Sequence, residues 1–350
     1  MDLAFVLFVV IWKVPKIQTR RVLDVRKRFA AENEARKTVL QIVSGLAVLA
    51  TIYSVVVTAR NSAEAIELAR SAQLSERFSK ATEQLSATLP NGQKNIDARV
   101  GAIYALEAIA RQSPDYHPQI MEILTAYLRN NFRWQSMCSP HPSSCSGLAS
   151  VQRDPTGPFQ MTAPNDVQTI ILVLARRDTK FDSDPRKLVS MLKEIDMSNT
   201  DFRGTMLSRG ERSLEDAIIE HSNLEGVNWT GVSMDRARFT GSCMARAQLW
   251  ADELDGAEFD DTDLTGAYLN PDVVLRGATL RGASLRCARI GADLTDADLT
   301  GAHLEGANLK PDGDDESKVS LKQIEAACID EHTVLPDNAR RQPRASGSCR

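Results

Sequence analysis

Residues 292–310 read Ala-Asp-Leu-Thr-Asp (292–296), Ala-Asp-Leu-Thr-Gly (297–301), Ala-His-Leu-Glu-Gly (302–306) and Ala-Asn-Leu-Lys (307–310). A large apolar residue recurs every five positions, at Leu294, Leu299, Leu304 and Leu309, with alanine two before it and often glycine two after it. No α-helix repeats every five residues, and no simple strand does. Residues two apart in a short extended piece share a side, so the alanine and the leucine both face inward. The next two residues turn the chain, and glycine tolerates the positive φ such a turn needs. Four such pieces close a coil of about twenty residues, and coils stack about 4.8 Å apart through backbone hydrogen bonds.

The same rhythm runs upstream. One residue out of phase it passes through Leu275, Leu280, Leu285 and Ile290. Beyond an extra residue near Asn270-Pro271-Asp272 it continues through Ile219, Leu224, Trp229, Met234, Phe239, Met244, Leu249, Leu254, Phe259, Leu264 and Leu269. Phe202 and Leu207 make a weaker start. Single-residue insertions belong at turns, which carry no core side chain. The array over 195–310 predicts about five coils, roughly 24 Å tall at that spacing.

These motifs resemble the pentapeptide repeat family. Over 195–310 the resemblance implies an all-β right-handed quadrilateral β-helix. The family shares a fold rather than one function, and some members are known for an acidic rod that occupies the DNA site of a type II topoisomerase. Upstream, Glu76-Arg-Phe-Ser-Lys-Ala-Thr-Glu-Gln-Leu85, Arg99-Val-Gly-Ala-Ile-Tyr-Ala-Leu-Glu107, Asp166-Val-Gln168 and Arg176-Arg177 look like a recurring bacterial arrangement. In it a membrane anchor and a helical module precede the repeats.

Charge is divided unevenly along the 350 residues. Residues 1–60 hold ten Lys or Arg against four Asp or Glu, while residues 195–310 hold eleven against twenty. Residues 38–59 carry no charge and are flanked by Arg36, Lys37 and Arg60; as a helix they span about 33 Å, enough for a bilayer core. A shorter apolar run, 3–12, lacks the basic start and small-residue cleavage site of a signal peptide. A truncated first span and an interfacial anchor ending at Trp12 both remain open for it. The lysines and arginines of 13–37 place that segment in the cytoplasm by the positive-inside rule, and the chain beyond Arg60 outside it.

The expected order is mixed. A basic segment (1–37) leads into a transmembrane helix (38–59) and an α-helical module (60–194) with a loop at 134–164. The β-helix (195–310) follows, then a capping helix and disordered tail (311–350). In the module, Arg99, Glu107, Arg176 and Arg177 read as charges paired within the chain. The capping helix has its apolar period over 318–328.

Six cysteines leave the compartment open. Cys138 and Cys145 share a Pro/Ser-rich loop and are candidates for a disulfide with each other, whereas Cys243 and Cys287 read as exposed thiols on the coils. Cys138, His141 and Cys145 offer zinc three ligands but no fourth. No phosphate-binding glycine loop, nucleophile elbow or zinc-protease motif is present. No cofactor, metal or catalytic residue is expected.

Asp201, Asp263, Asp293 and Asp298 precede centres and read as outward, making the rod acidic. Asp252 falls at an inward position and predicts a local slip or a hydrogen bond to a turn amide. The functional expectation is a non-enzymatic scaffold in a bacterial inner membrane, with its β-helix outside the cytoplasm. Its partners would be the bilayer and an unidentified protein; nucleic acid is not expected, and an end-to-end homodimer stays open. The alternatives are a DNA-mimic regulator of an enzyme such as a type II topoisomerase, and an enzyme with a site between module and rod.

Overall fold

The computed structural model describes residues 11–17, 20, 25–138, 145, 162–181, 195–208, 210, 212–250, 253–310 and 318–337. Most of the run 3–12, most of the loop 134–164, the residues His141 and Asp252, and the tail from 338 lie outside the described residues. The chain divides into two compact units, Met1–Glu76 and Arg77–Arg350.

Helix α1 (Val25–Leu85) begins in the first unit, and its last turns belong to the second. Its most apolar window has a mean hydropathy of 2.1, and none of that window is buried. Leu40, Ile42, Leu46, Leu49, Ile52 and Val55 are all exposed. At 100° per residue they cover most of the circumference, so the exposed surface is a cylinder rather than a stripe. The Ser44 and Thr51 hydroxyls donate back to the Gln41 and Ala47 carbonyls, each at 2.9 Å. The polar atoms of these two side chains are therefore satisfied inside the helix. Among the described residues, α1 alone is long and apolar enough to cross a membrane.

In the second unit α2 (Ile96–Gln112), α3 (His117–Asn131) and α4 (Asn165–Ala175) pack on one another, and Phe78 near the end of α1 meets Tyr116 with ring centroids 5.1 Å apart. Asn95 caps α2 by accepting the Ala98 N–H, which satisfies a donor the helix cannot. Ala81 and Leu85 of α1, Ile103 and Leu106 of α2, Leu124 and Leu128 of α3, and Ile170, Ile171 and Leu174 of α4 form the apolar core.

The rest of the unit is a solenoid. Strands β1 (Met206–Leu207), β2 (Asn228–Thr230), β3 (Gln248–Trp250), β4 (Tyr268–Leu269) and β5 (Arg289–Ile290) make one parallel sheet in chain order. Three further series of parallel bridges run beside it, such as Ser233↔Glu253, Arg238↔Glu258 and Cys243↔Asp263. Leu249 pairs with Leu269, twenty residues on, and Leu269 with Ile290, twenty-one on. The extra residue at 270–272 is thus absorbed at a turn without displacing a core side chain. The residue two after a centre takes a positive φ at most of the described turns, glycine or not; Pro271 and Ala292, after Leu269 and Ile290, are the exceptions. Gly226, Gly241 and Gly256 take it, and so do His221, Arg236, Arg246, Asp261 and Cys287. Non-glycine residues there cost about 1–2 kcal/mol each, so the stacking of coils dictates the turn against local preference.

Both ends of the coil are covered. At the first coils Phe132 O accepts the Asp201 N–H at 2.8 Å, and Trp134 N–H donates to Asn199 O at 2.7 Å. The Gln168 side-chain amide pairs with the Met206 backbone in both directions, at 2.7 and 2.9 Å, as a neighbouring peptide would. At the far end the solenoid extends one coil beyond residue 310, because Lys318, Cys328 and Val334 bridge to Asp293, His303 and Asn308. Helix α5 (Leu321–Ala326) replaces one side of that coil, started by a Ser320–Gln323 capping box. Gln323 Nε2 donates to the Leu294 and Ala297 carbonyls at 2.7 and 2.8 Å, so a side chain supplies the bonds a further strand would make.

Candidate interaction surface

Every centre from Ile219 to Leu309 is buried, none more than 2% exposed. Phe239 and Phe259 stack with ring centroids 4.9 Å apart. Trp229 Nε1 donates to Thr205 Oγ1 at 3.2 Å, so its indole N–H is not wasted inside the coil. A partner therefore meets only the outward positions beside the centres.

The aspartates before the centres have a local task. Asp201, Asp263, Asp293 and Asp298 each accept the backbone N–H two residues on, at 3.2, 3.0, 3.1 and 3.0 Å. Asn223 and Asn308 do the same. These are Asx turns, which explains why Asp and Asn recur at one position of the repeat. Asp293 departs from the outward expectation, being 5% exposed. Its Oδ2 accepts from Arg276 Nε at 3.0 Å and from Lys318 Nζ at 3.1 Å. Burial alone would raise this carboxyl. The Thr295 hydroxyl and N–H, Lys318 and Arg276 outweigh it and hold Asp293 far below the usual carboxylate range. Asp235 goes the other way, pushed up first by burial.

Arginines convert the acidic rod into a ladder of ion pairs between neighbouring coils. Arg236 grips Asp216 with two bonds at 2.7 and 2.9 Å, and Arg281 grips Asp260, with Nε at 2.9 Å. Arg238 meets Glu220 at 2.9 Å, Arg246 meets Glu225, and Arg286 meets Glu305 at 3.6 Å. Exposed pairs of this kind contribute about 0–1 kcal/mol each. Their larger effect is on the potential a partner feels, because the excess of carboxylates is interrupted at each coil.

The cysteines differ from expectation. Cys138 bonds to Cys243 and Cys145 to Cys287, with Cα–Cα separations of 5.3 and 5.4 Å, so Cys138 and Cys145 do not bond to each other. Each faces the rod across its own bond, and the stretch 138–145 is tied to the coils at both ends. Cys243 and Cys287 are consequently not exposed thiols. Cys328 is disulfide-bonded as well, and no free cysteine occurs among the described residues. With both sulfurs oxidised, Cys138 and Cys145 are not available as zinc thiolates. Gly306 lies beneath the second bond, where an added Cβ would come within 2.6 Å of Cys145 Sγ.

The helical module buries its charges. Arg99 Nη1 donates to Tyr127 Oη at 2.8 Å, and Tyr127 Oη donates to Asp166 Oδ2 at 2.7 Å. Arg99 is 6% and Asp166 0% exposed. Burial first, then the bond to Asp166, pushes the Tyr127 phenol up to about 12. Glu107 receives Arg176 through Nε and Nη2, both at 2.7 Å. These groups join α2, α3 and α4. An open groove of about 830 Å³ lies between α5 and the turns at 295–300 and is lined by Thr295, Asp298, Lys318 and Gln323. No set of three His, Cys, Asp or Glu side chains able to hold a metal occurs among the described residues.

Residues 213–250 and 272–310 match the family model for pentapeptide repeats, in eight copies. The segment is a pentapeptide repeat domain. Such repeats imply a right-handed β-helix. Among solved structures, HetL from the cyanobacterium Nostoc sp. strain PCC 7120 is a pentapeptide repeat protein involved in heterocyst differentiation regulation. It is 24% identical over 33% of this chain and 48% of its own, with a TM-score of 0.18. A pentapeptide repeat protein from the Arabidopsis thaliana thylakoid lumen is 24% identical over 35% of this chain and 70% of its own, with a TM-score of 0.15. QnrB1, a plasmid-mediated fluoroquinolone resistance protein, is 13% identical over 40% of this chain and 85% of its own, with a TM-score of 0.18. The matched region spans about half the length of HetL. These identities bear on the fold alone. No curated protein matches the chain.

Proposed function

We propose that this chain is a membrane-tethered, non-enzymatic scaffold. Its β-helix, square in section, stands on the oxidising side of the membrane and offers its charge-laddered faces to a protein partner. The observation that carries this reading is the pair of bonds Cys138–Cys243 and Cys145–Cys287. Disulfides persist in secreted, periplasmic and lumenal proteins and are rare in the cytosol. The exposed apolar cylinder of α1 and the basic residues before it support the same topology.

The ion-pair ladder argues against nucleic-acid mimicry. A DNA mimic needs a row of uncompensated charges as dense as phosphates, about one per 1.7 Å of duplex axis. Here Arg236, Arg246 and Arg281 each neutralise a carboxylate on the adjacent coil.

Alkaline phosphatase or a fluorescent protein joined after residue 337, beyond the last coil, tests the topology in intact cells. Phosphatase activity without fluorescence is expected. Fluorescence without phosphatase activity would place the rod in the cytoplasm and overturn the proposal.

A further inference from the structure

We infer that the segment before the apolar cylinder of α1 is a platform for anionic phospholipid headgroups, set at its depth in the interface by Trp12. The inference rests on the membrane tether proposed above, though not on which side of the membrane the rod stands.

Residues 11–17 are helical and belong to the same compact unit as the start of α1. Pro15 is buried and Ile11 and Val14 are half-buried. Lys13 and Lys16 are exposed, as are Trp12 by 48% and Ile17 by 68%. The outward side of this short helix thus joins two large apolar groups to two lysines, the composition of an element lying in a membrane interface. Its level is set against α1. The Trp12 ring takes the Arg36 guanidinium 4.6 Å from its centroid and Lys16 Nζ 5.8 Å from it. Arg36 stands two positions before Thr38, the first residue of the uncharged run, a rise of about 3 Å. An indole half exposed at that level meets the headgroup boundary, where tryptophan anchors a span.

Charge then selects the lipid. Residues 11–37 hold nine Lys or Arg against three Asp or Glu. Lys13, Arg20, Lys27 and Lys37 are exposed and make no ion pair among the described residues. Glu32 meets Arg36 at 4.0 Å, and Glu34 is exposed on α1. A basic cluster at the edge of a span draws anionic headgroups to it within a screening length, about 10 Å at 0.1 M salt. An acidic protein or a nucleic acid would satisfy the same charges, but the apolar run that starts at Thr38 already brings headgroups to this level.

The test places the full chain in vesicles of phosphatidylcholine and phosphatidylglycerol in equal amounts, with one lipid or the other brominated near the headgroup end of its acyl chains. Bromine quenches a nearby indole, and Trp12→Phe measures the background from Trp134, Trp229 and Trp250, which belong to the other unit. Phosphatidylglycerol should be enriched about threefold over phosphatidylcholine around Trp12, falling toward parity in about 1 M salt, where the screening length is about 3 Å. Lys13→Gln, Lys16→Gln, Arg20→Gln and Lys27→Gln made together should leave Trp12 quenched equally by the two lipids. Flotation with the vesicles after alkaline extraction reads the tether by itself. A chain that does not float overturns both the tether and the platform. A chain that floats with Trp12 quenched equally by the two lipids, or by neither, overturns the platform alone, as does a preference that survives the four substitutions.

Discussion

The rod and the helical module treat charge in opposite ways. On the rod, acid and base meet at the surface, one coil apart, as Asp216 meets Arg236 and Asp260 meets Arg281. In the module Arg99, Tyr127 and Asp166 meet in the interior, from three different helices. A solenoid repeats its geometry, so each outward residue has a neighbour at a fixed distance in sequence and stability accumulates coil by coil. A helical bundle has no such translation and depends on single contacts that cannot be replaced by the next repeat.

That contrast can be broken most severely inside the coil. Phe239→Ala removes one half of the Phe239–Phe259 stack and leaves a cavity in the column; a loss of about 3–5 kcal/mol is expected in denaturant unfolding. Hydrogen exchange should show the coils around 239 opening while α2 and α3 stay protected. Next comes the strap. Cys138→Ser opens a bond that closes 105 residues, and about 2–4 kcal/mol should be lost, measured by melting with and without reductant. A melting temperature indifferent to reductant would contradict this.

The module should yield to Tyr127→Phe, which strands the buried Asp166, at about 2 kcal/mol. The two regions should also fail at opposite ends of the pH scale. Tyr127 is raised to about 12 when folded. Its contribution is complete below the unfolded value near 10 and is lost as pH rises from there through about 12. Asp298, held low by the Thr300 hydroxyl and N–H, behaves in reverse, as does Asp330, where the Gly306 N–H and Thr333 hydroxyl outweigh burial. Their contribution is present above the ordinary value of 3.8 and is lost as pH falls through the folded values. Hydrogen exchange should show α2–α4 opening first in base and the last coils opening first in acid.

The smallest effect belongs to the turns. Asp296 holds a φ of 58°, and Asp296→Gly should gain no more than about 1 kcal/mol.

The coil was legible in the sequence because its centres, from Ile219 to Leu309, report a period that only one geometry explains. The charged pairs of the ladder follow once that period is known. The cysteines did not follow from it. Cys138 and Cys145 are close in sequence, and nothing local distinguishes a bond between them from bonds to Cys243 and Cys287. What decides is where Cys138 and Cys145 meet the coils, and the sequence around them carries no repeat. Asp293 looked like its outward neighbours because Lys318, one of the groups that bury and bind it, comes from a coil with no pentapeptide motif of its own.

The most direct test of the account is the pairing of the cysteines in protein taken from native membranes. Rapid alkylation followed by peptide mapping without reduction should yield Cys138 linked to Cys243 and Cys145 linked to Cys287. Recovery of these four residues as alkylated free thiols, or of Cys138 linked to Cys145, would contradict an extracytoplasmic rod tied by its strap.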